Sequence, residues 1–573
     1  MSDLEYQADT GAQATSSDTS GSRRRRIRNH RVLGFVGLIV GLGVLAYLQL
    51  QAETTDYQRA FIQSSIAAGL TLAWVGFHFQ RSMALSGRRW RLPITLVVVV
   101  AVAATIWKVD TLSGEMIPQL RWRFASVDVP PLRALQDTGA VSGDNDSIDT
   151  EPPAAMDDRS LAIDPSAEMG IDWPSFLGAE RDGVVARRRF EIPQSVGDVQ
   201  ERWNIGIGEG WSSFAATGDL AVTLEQRDDL ECVTAYDVND GTLVWKVDHN
   251  ASHFHPLGQG GPRSTPAIWN QRVYAQGATG QLWCLDLYTG RVHWSHDLIA
   301  MSNWSQDESE SAIAWGRAGS PLIVDGMCVV PLGGPEEAAN EGRSLIAFDA
   351  MSGDIVWRAG SDQISYASPQ VMLEGQDRQI VSVNETTITG HQISTGLVLW
   401  SFDWFGRSNS GANCAAAMPA GDRRFLIGKG YGGGSALVEI QAMNDQWTAT
   451  PSWTSNRVLK TKFNHAVVRD GIAYGINNGA LQAVQVDTGE PLWQQPRRSR
   501  CGQGQVILAE DVLLVQAEDG EVILVEATGE DYREWLRIDA LHHKTWNIPT
   551  LFARTLLVRN DRQAIAIELP PRR

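Results

Sequence analysis

The chain has 573 residues and a formal net charge of -18 at pH 7. This length is too great for one ordinary hydrophobic core, so we expect several domains or a repeat architecture. The acidic balance argues against nucleic acid as a partner, because a phosphate-binding surface needs a basic face. The 21 Trp and 54 Gly, beside 11 His and 5 Cys, indicate many tight turns rather than a metal or disulfide scaffold. The cysteines are widely separated and are predicted to be buried free thiols.

Three apolar runs follow a basic tail over residues 1–31, which we expect to be disordered and cytoplasmic. They occupy residues 32–50, 60–79 and 92–109. The first two are long enough to cross about 30 Å of hydrocarbon, and the third reaches that length only if Lys108 snorkels to the interface. The sequence therefore predicts a membrane domain over residues 32–109 with about three transmembrane helices.

Arginines around these runs predict their orientation. Six lie between Arg23 and Arg31, ahead of the first run, and four lie between Arg81 and Arg91, after the second. By the positive-inside rule both segments are cytoplasmic, so a third crossing places the rest of the chain in the periplasm of a Gram-negative cell. We expect a multi-pass protein of the inner membrane. Two alternatives stay open: the first run is a cleaved signal peptide, or the third is a buried or interfacial helix and the large domain is cytoplasmic.

Residues 110–170 are predicted to be a flexible acidic linker. They contain twelve Asp or Glu against four Arg and show little hydrophobic periodicity. Such a segment repels itself and cannot bury enough apolar surface to fold. Order is expected to resume at residue 171, just before the stretch "DWPSFLGAERDGV".

One phrase then recurs along the chain. Its copies read "AYDVNDGTLVW", "CLDLYTGRVHW", "AFDAMSGDIVW", "GHQISTGLVLW" and "AVQVDTGEPLW". Each predicts a short apolar strand, a tight turn whose glycine takes positive φ, and a second strand that ends in Trp. The five Gly and Trp pairs are Gly241 and Trp245, Gly290 and Trp294, Gly353 and Trp357, Gly396 and Trp400, and Gly489 and Trp493. We predict that these Trp side chains pack between repeats.

Weaker copies end at Trp203, Trp453 and Trp535, so successive Trp stand 40 to 63 residues apart. A period in the forties made of short strands is typical of the four-stranded blades of a β-propeller. The stretch after Trp535 supplies three strands, and the strand at Trp203 supplies the fourth. The sequence therefore predicts an all-β, eight-bladed propeller over residues 171–570, closed by strands from its two ends.

The repeat resembles that of the pyrroloquinoline-quinone-like (PQQ-like) eight-bladed propellers. This superfamily includes quinoprotein alcohol and glucose dehydrogenases and the non-enzymatic outer-membrane assembly lipoprotein BamB. The resemblance rests on the Thr-Gly-x-x-x-Trp phrase, and "DWPSFLGAERDGV" with "GPRSTP" is similar to a membrane-associated bacterial branch. It implies the propeller fold and leaves open whether a quinone binds.

The dehydrogenases of this superfamily need calcium or a similar ion, an Asp base and a Trp floor for the quinone. In the alcohol dehydrogenases a disulfide between adjacent cysteines covers the quinone, and this chain has no adjacent cysteines. Blades of 40 to 49 residues also leave little loop for a lidded pocket. The sequence therefore favours a non-catalytic binding or scaffold module without a cofactor, with envelope proteins or peptides as partners. The alternative is a membrane-linked alcohol or sugar dehydrogenase that uses PQQ and Ca²⁺.

A candidate ligand site is predicted at one mouth of the central channel, where the innermost strands begin. Polar or basic residues stand just before these strands: Arg263, Arg317, Lys462, Asn464, Arg500, Lys544 and Asn547. They could bind an anionic ligand or an acidic peptide, and the alternative is a set of solvated or ion-paired rim side chains. His253 and His255 are predicted to pack in a loop, because no third ligand stands at metal-binding spacing.

Overall fold

The computed structural model describes residues 15–51, 57–86, 94, 98, 103–114, 118–125, 129–135, 173–408, 411–444 and 446–572. The chain forms two compact units. The first comprises Met1–Leu112 and Pro118–Ser126, and the second comprises Ser113–Ile117 and Val127–Arg573.

The first unit contains two long helices that pack against each other, α1 (Thr15–Gln51) and α2 (Tyr57–Leu85). The indole Nε1 of Trp74 donates to the carbonyl of Leu33 at 3.1 Å, and the rings of Phe35 and Phe79 meet edge to face. Glycine lets the helices approach closely, because a Cβ on Gly37 would collide with the Trp74 ring.

Within the described residues, one helical stretch is long and apolar enough to cross a membrane. It is Gly21–Tyr47 in α1, with a mean hydropathy of 1.7. A membrane anchor and a signal sequence both meet this criterion. The second predicted run is helical, but Gln63, Ser64 and His78 make that part of α2 more polar. The expectation of a multi-pass membrane domain is therefore not supported.

The third predicted run and the linker that follows it differ from expectation where the structure describes them. Residues 103–106 are helical, and then strand β1 (Trp107–Leu112) pairs with β2 (Pro118–Trp122). A helix to residue 109 and a disordered segment from residue 110 are both wrong here. The β-branched Val109 and Thr111 and the paired Trp107 and Trp122 explain the preference for strand. Most of residues 92–102 and all of 136–170 lie outside the described residues.

The second unit is an eight-bladed β-propeller, as the sequence predicts. Each blade is an antiparallel four-stranded meander, to which blade 7 adds a short parallel strand, β3 (Val184–Val185). Blades 1 to 4 are β5 (Ala215–Thr217), β6 (Leu220–Arg227), β7 (Leu230–Asp237) and β8 (Leu243–His249); β11 (Ala267–Trp269), β12 (Arg272–Gln276), β13 (Gln281–Asp286) and β14 (Val292–Asp297); β15 (Leu322–Val324), β16 (Met327–Pro331), β17 (Leu345–Asp349) and β18 (Ile355–Ala359); and β19 (Gln370–Met372), β20 (Gln379–Val383), β21 (Thr387–Gln392) and β22 (Val398–Asp403).

The remaining four blades follow the same order, and the last takes its outer strand from the start of the unit. Blades 5 to 8 are β23 (Met418–Pro419), β24 (Arg424–Gly428), β25 (Ser435–Met443) and β26 (Gln446–Ser455); β27 (Val467–Arg469), β28 (Ile472–Asn477), β29 (Ala480–Gln485) and β30 (Pro491–Gln494); β31 (Gln505–Ala509), β32 (Val512–Gln516), β33 (Glu521–Glu526) and β34 (Glu534–Asp539); and β35 (Thr550–Phe552), β36 (Thr555–Arg559), β37 (Gln563–Glu568) and β4 (Gln200–Gly206).

Short elements lie between the blades. A two-stranded hairpin, β9 (Phe254–His255) and β10 (Gln259–Gly260), follows blade 1. Helices α3 (Leu298–Met301) and α4 (Gln306–Ala312) form the insertion between blades 2 and 3. Single 3₁₀ turns cover Val196–Asp198, Glu336–Glu341, Gly375–Asp377 and Arg497–Ser499.

The ring closes where β4 pairs antiparallel with β37, so that Trp203 lies opposite Ala566. Both ends of the propeller sequence therefore contribute to blade 8, as predicted. Residues 129–135 also pack here: Leu132 forms a parallel bridge with Gly206, and Leu135 joins the apolar cluster between blades 8 and 1.

Eight apolar clusters in the described part of the chain lie at the eight junctions between neighbouring blades. A four-stranded sheet has two faces to bury, and in a propeller each face is buried against the next blade. The second and third strands of the blades accordingly consist largely of buried residues, for example all five residues of β32.

The recurring Trp side chains join neighbouring blades, as predicted. Trp245 of blade 1 lies against Gly290 in the outer turn of blade 2, and its Nε1 donates to the carbonyl of Leu287 at 2.8 Å. Gly290 has φ +72°, which a glycine adopts without strain. The same contact joins Trp203 to Gly241, Trp294 to Gly353, Trp357 to Gly396 and Trp453 to Gly489.

Trp400 is an exception that the sequence does not predict. Its indole Nε1 donates to the Oε1 of Gln379 in its own blade at 2.7 Å, and its ring stacks on Phe425 of blade 5. The reason lies in blade 5, where strands β25 and β26 form a long hairpin in place of the Thr-Gly turn. Trp400 therefore has no turn glycine in the next blade to contact.

A crossing segment, residues 173–185, runs across the propeller axis before the first blade. Its contacts reach blades on different sides of the ring. Trp173 pairs with Ala216 of blade 1, and Val184 pairs with Leu508 of blade 7. The Phe176 ring meets that of His465 before blade 6, and Arg181 donates to the carbonyls of Pro321 and Pro369 before blades 3 and 4.

We predict that Gly290→Ala destabilises the propeller more than Gly326→Ala. Both glycines have positive φ, +72° and +77°, so both substitutions carry a left-handed backbone cost of about 1 kcal/mol. A Cβ at Gly290 would also lie 2.8 Å from the Trp245 ring, whereas the space at Gly326 is open. The urea midpoint of Gly290→Ala should reflect an additional loss of about 1–3 kcal/mol from overpacking. Equal midpoints for the two variants would show that the Trp245 contact does not constrain this turn.

Candidate functional site

The mouth of the propeller is the end of the channel where the inner strands begin. Loops of neighbouring blades are joined there by hydrogen bonds from main-chain N–H groups. These run from Trp211 to the carbonyl of Pro262 (2.7 Å), from Thr265 to Ser320 Oγ (2.9 Å), from Ser320 to Ser368 Oγ (2.9 Å), from Ala416 to His465 Nδ1 (3.2 Å) and from Ile548 to Ser213 Oγ (2.7 Å). The bonds hold the loops of the mouth in a fixed arrangement.

Arg263 lies at the mouth and is held by main-chain carbonyl groups. Its guanidinium donates to the carbonyls of Trp315, Gly258 and Gln259. Burial lowers the pKa of Arg263 to about 10, and the group stays charged at neutral pH. The Gly258 carbonyl also accepts from the indole Nε1 of Trp211, which connects Arg263 to the aromatic side of the mouth.

Lys544 lies over aromatic rings and is only 3% exposed. Its Nζ is 4.0 Å from the centre of the Trp546 ring and 5.3 Å from that of Trp211. Burial lowers the pKa of Lys544 to about 8, opposed by the carboxylates of Asp561 and Glu518. Cation–π contacts with indoles favour the charged form and offset part of the desolvation.

Lys462 contacts the main chain of a distant part of the sequence. Its Nζ donates to the carbonyl of Gly114 at 2.8 Å and lies 5.8 Å from the centre of the Tyr431 ring. The N–H of the same Gly114 donates to the carboxylate of Glu518. Lys462 and Glu518 therefore hold one peptide residue between them.

Asn464 and Asn547 join loops within the ring of blades. The amide of Asn464 donates to the Oε1 of Gln503 at 3.2 Å, and that of Asn547 donates to the carbonyl of Ser212 at 2.7 Å. Both side chains are buried. Their amide groups connect blade 6 to blade 7 and blade 8 to blade 1.

The side chain of Arg317 lies in a blade junction rather than with the other basic residues. Arg317 is 2% exposed and its Nη1 donates to the carbonyls of Pro331 and Leu332, inside the junction of blades 2 and 3. Arg500 is half-buried at the end of a 3₁₀ turn before blade 7. Of the seven predicted residues, Arg263, Lys462 and Lys544 thus provide the cationic groups of the mouth, and a ligand-binding role for the set stays a prediction.

Aromatic side chains at the mouth were not predicted as site residues. One group consists of Trp211, Phe463 and Trp546, with ring centres 4.7 and 4.9 Å from the Trp546 ring. The other consists of Trp315, Tyr366 and Tyr431, in which Trp315 stacks on Tyr366 at 5.0 Å. The signal in the sequence was an aromatic residue in the same loops as the basic ones, as in "KTKFNH" and "HHKTWNIP".

Two histidines and a cysteine of the mouth region are uncharged at neutral pH. Burial lowers the pKa of His253 and of His465 to about 4, and that of the Cys414 thiol is raised to about 12 by burial. His465 is held neutral as an acceptor for the N–H of Ala416. The fixed charges of the mouth are therefore those of its Arg, Lys and carboxylate groups.

The donor groups at the mouth do not fit a hard divalent cation such as Ca²⁺. The carboxylates of Glu518 and Asp561 lie beside the cationic Lys544, whereas calcium prefers carboxylate and carbonyl oxygens without a competing cation. The carboxylate of Glu518 already accepts from the Trp546 indole at 2.9 Å and from the N–H of Gln503 at 2.9 Å. In the part of the chain that the structure describes, no three His, Cys, Asp or Glu side chains are grouped to hold a metal ion.

Comparison with protein families identifies the propeller repeats. The family described as outer membrane protein assembly factor BamB matches residues 228–495 and, in an overlapping match, residues 343–551. The quinohemoprotein alcohol dehydrogenase ADH-IIG of Pseudomonas putida is 31% identical over 129 residues, which are 22% of this chain and 16% of that enzyme. The chain therefore spans about a sixth of the length of this curated relative.

The propeller is similar in fold to a solved alcohol dehydrogenase structure. The quinohemoprotein alcohol dehydrogenase from Comamonas testosteroni superposes with a TM-score of 0.52 and 12% identity, covering 70% of this chain and 81% of that chain. BamB from Moraxella catarrhalis gives a TM-score of 0.45 and 15% identity, covering 65% of this chain and 100% of that chain. At these identities the similarity concerns the fold alone.

We predict that Lys544→Met removes a pH dependence from the stability of the propeller. The pKa of Lys544 is about 8 in the folded chain, whereas lysine in an unfolded chain titrates near 10.4. Between these values the unfolded chain binds more protons, so the free energy of unfolding rises with pH. From pH 7.5 to 9.5 the wild type should gain about 1–2 kcal/mol relative to Lys544→Met in urea unfolding. Parallel profiles for the two proteins would contradict a buried Lys544.

Proposed function

Because the chain belongs to the family of the outer membrane protein assembly factor BamB, whose match covers more than half of its length, we propose that the propeller is a non-catalytic binding module of the cell envelope. Its partner would be an envelope protein or peptide that presents an acidic segment to the mouth. The observation that carries this proposal is the convergence of Arg263, Lys462 and Lys544 on one mouth lined by aromatic rings.

The linked contacts of the mouth support a single binding surface. Burial lowers the pKa of Arg263, and the nearby Tyr366 and Tyr431 oppose that shift; Lys462 lies over the same Tyr431 ring. Cationic groups with aromatic neighbours bind carboxylates strongly, because desolvation strengthens the charged hydrogen bonds. The net charge of -18 for the whole chain would keep acidic partners away from other surfaces and favour this one.

We further propose that the chain is attached to the inner membrane with its propeller in the periplasm. Support comes from the apolar stretch Gly21–Tyr47 and from the arginines at its start, which the positive-inside rule places in the cytoplasm.

The alternative function is that of a PQQ-dependent dehydrogenase, which the partial identity to ADH-IIG favours. The cofactor pair of quinone and Ca²⁺ requires a carboxylate-rich ion site, and the cationic mouth does not fit the ion. Stoichiometric binding of quinone with Ca²⁺ to the purified chain, together with dye-linked alcohol or sugar oxidation, would support this alternative and contradict the proposed binding module.

We predict that removing three mouth charges weakens the binding of an acidic peptide. Full-length protein in detergent micelles would be titrated into fluorescein-labelled hexaglutamate, and binding would be measured by anisotropy at low salt. The triple variant Arg263→Met, Lys462→Met and Lys544→Met should bind roughly 10- to 100-fold more weakly, since each charged hydrogen bond contributes about 1.5–3 kcal/mol and part of that is offset by desolvation.

A matched control removes three charges elsewhere. Arg378, Arg424 and Arg469 form exposed ion pairs near the opposite ends of the inner strands. The triple methionine variant at these positions has the same net charge and should bind hexaglutamate within about twofold of the wild type, because exposed ion pairs contribute little. Equal weakening by both triple variants would mean that net charge, rather than the mouth, determines binding.

The membrane orientation predicts the activity of a reporter fusion. Alkaline phosphatase joined after residue 130 should be active in cells, because the enzyme folds only on the periplasmic side, where its disulfides can form. A fusion of a cytoplasmic reporter at the same position should be inactive. The reverse pattern would place the propeller in the cytoplasm.

A further inference from the structure

We propose that Lys462 and Glu518 form a receptor for the peptide group of a glycine, and that Gly114 of the same chain occupies it. This inference rests on the proposed binding role of the mouth and specifies what that mouth recognises. The partner in trans would present a glycine in an exposed polar loop, and it would compete with Gly114 for the two charged groups.

The two charged side chains contact opposite sides of one residue. The ammonium of Lys462 donates to the Gly114 carbonyl at 2.8 Å, and the carboxylate of Glu518 accepts from the Gly114 N–H. Hydrogen bonds to ionised groups are about twice as strong as neutral ones. A receptor of this kind binds the main-chain N–H and carbonyl groups of its ligand.

The Glu518 carboxylate is also held by groups other than Gly114. It accepts from the N–H of Gln503 at 2.9 Å and from the Trp546 indole at 2.9 Å. Trp546 is also the ring beneath Lys544, so this carboxylate belongs to the same mouth as the cationic groups. Fixed partners reduce the entropy lost on binding.

The receptor excludes residues other than glycine by its shape. A Cβ on Gly114 would lie 2.5 Å from the Cβ and Cγ of Gln503 and 3.2 Å from the Glu518 Oε1. Gly114 is not among the glycines with positive φ, so its backbone conformation is open to other residues. The neighbouring side chain, rather than the backbone, therefore requires glycine.

The pair is buried with Gly114 in place. Lys462 is 2% exposed and Glu518 is 6% exposed. Hydrogen bonds offset part of the cost of burying charged groups, and the Gly114 peptide groups supply one to each of them. As part of the same chain, Gly114 competes at an effective concentration of about millimolar, and a partner in trans must exceed that affinity.

Gly114→Val provides the test, because it should expel the internal occupant and leave the propeller residues unchanged. The probe is a fluorescein-labelled peptide with the sequence of residues 111–117, TLSGEMI, added to full-length protein in detergent micelles. We expect Gly114→Val to bind this peptide at least about tenfold more tightly than the wild type. A peptide with Val in place of Gly should bind at least about tenfold more weakly to the variant, because of the Gln503 contact.

Gly411→Val is the matched control, since no atom lies within 4 Å of a Cβ there, and it should bind the peptide as the wild type does. Two results would overturn the inference: no gain in affinity on Gly114→Val, or equal binding of the Gly and Val peptides. Hexaglutamate binding by the wild type tests the proposed function separately.

Hydrogen exchange gives an independent readout in the folded protein. The Gly114 amide should be protected in the wild type and should lose protection in Lys462→Met. Unchanged protection in the variant would also overturn the inference.

Discussion

The contact between a Trp of one blade and the turn glycine of the next is the interaction on which the propeller depends. An isolated four-stranded sheet leaves two apolar faces exposed, so no blade is stable without neighbours. The Trp245 ring contacts Gly290, and its indole bonds the Leu287 carbonyl in the same turn, which sets both the spacing and the register of the two blades. This contact recurs at five blade junctions, and the pairing of β4 with β37 closes the ring.

The ring in turn explains why a binding surface forms at one mouth. All the loops that precede inner strands reach the same end of the channel, so residues far apart in sequence, such as Arg263 and Lys544, become neighbours. The crossing segment also reaches these loops, since Arg181 donates to carbonyls before blades 3 and 4 and the Phe176 ring meets that of His465 before blade 6.

The repeat predicted the blade count, the strand order and the Trp positions because each is a periodic property of the sequence. Departures from the period were not predictable: the long hairpin of blade 5 redirects Trp400 to Gln379, and strand β1 begins inside an apolar run. The basic residues of the mouth could be listed from their positions, but not the directions of their side chains. Arg263 and Arg317 both stand just before an inner strand, yet Arg317 bonds carbonyls inside a blade junction, since that direction depends on the neighbouring blade.

The arginines and lysines of the propeller differ in what offsets their burial. Arg181, Arg317 and Arg559 have pKa values lowered by burial, and each donates to main-chain carbonyls. A planar guanidinium can satisfy several such carbonyls at once, which gives these arginines a structural reason. A lysine has no such fork, and Lys544 lies over indole rings instead. The ammonium of Lys544 is desolvated at the mouth, and this desolvation lowers the stability of the fold. Contact with an anionic or main-chain ligand would offset this cost.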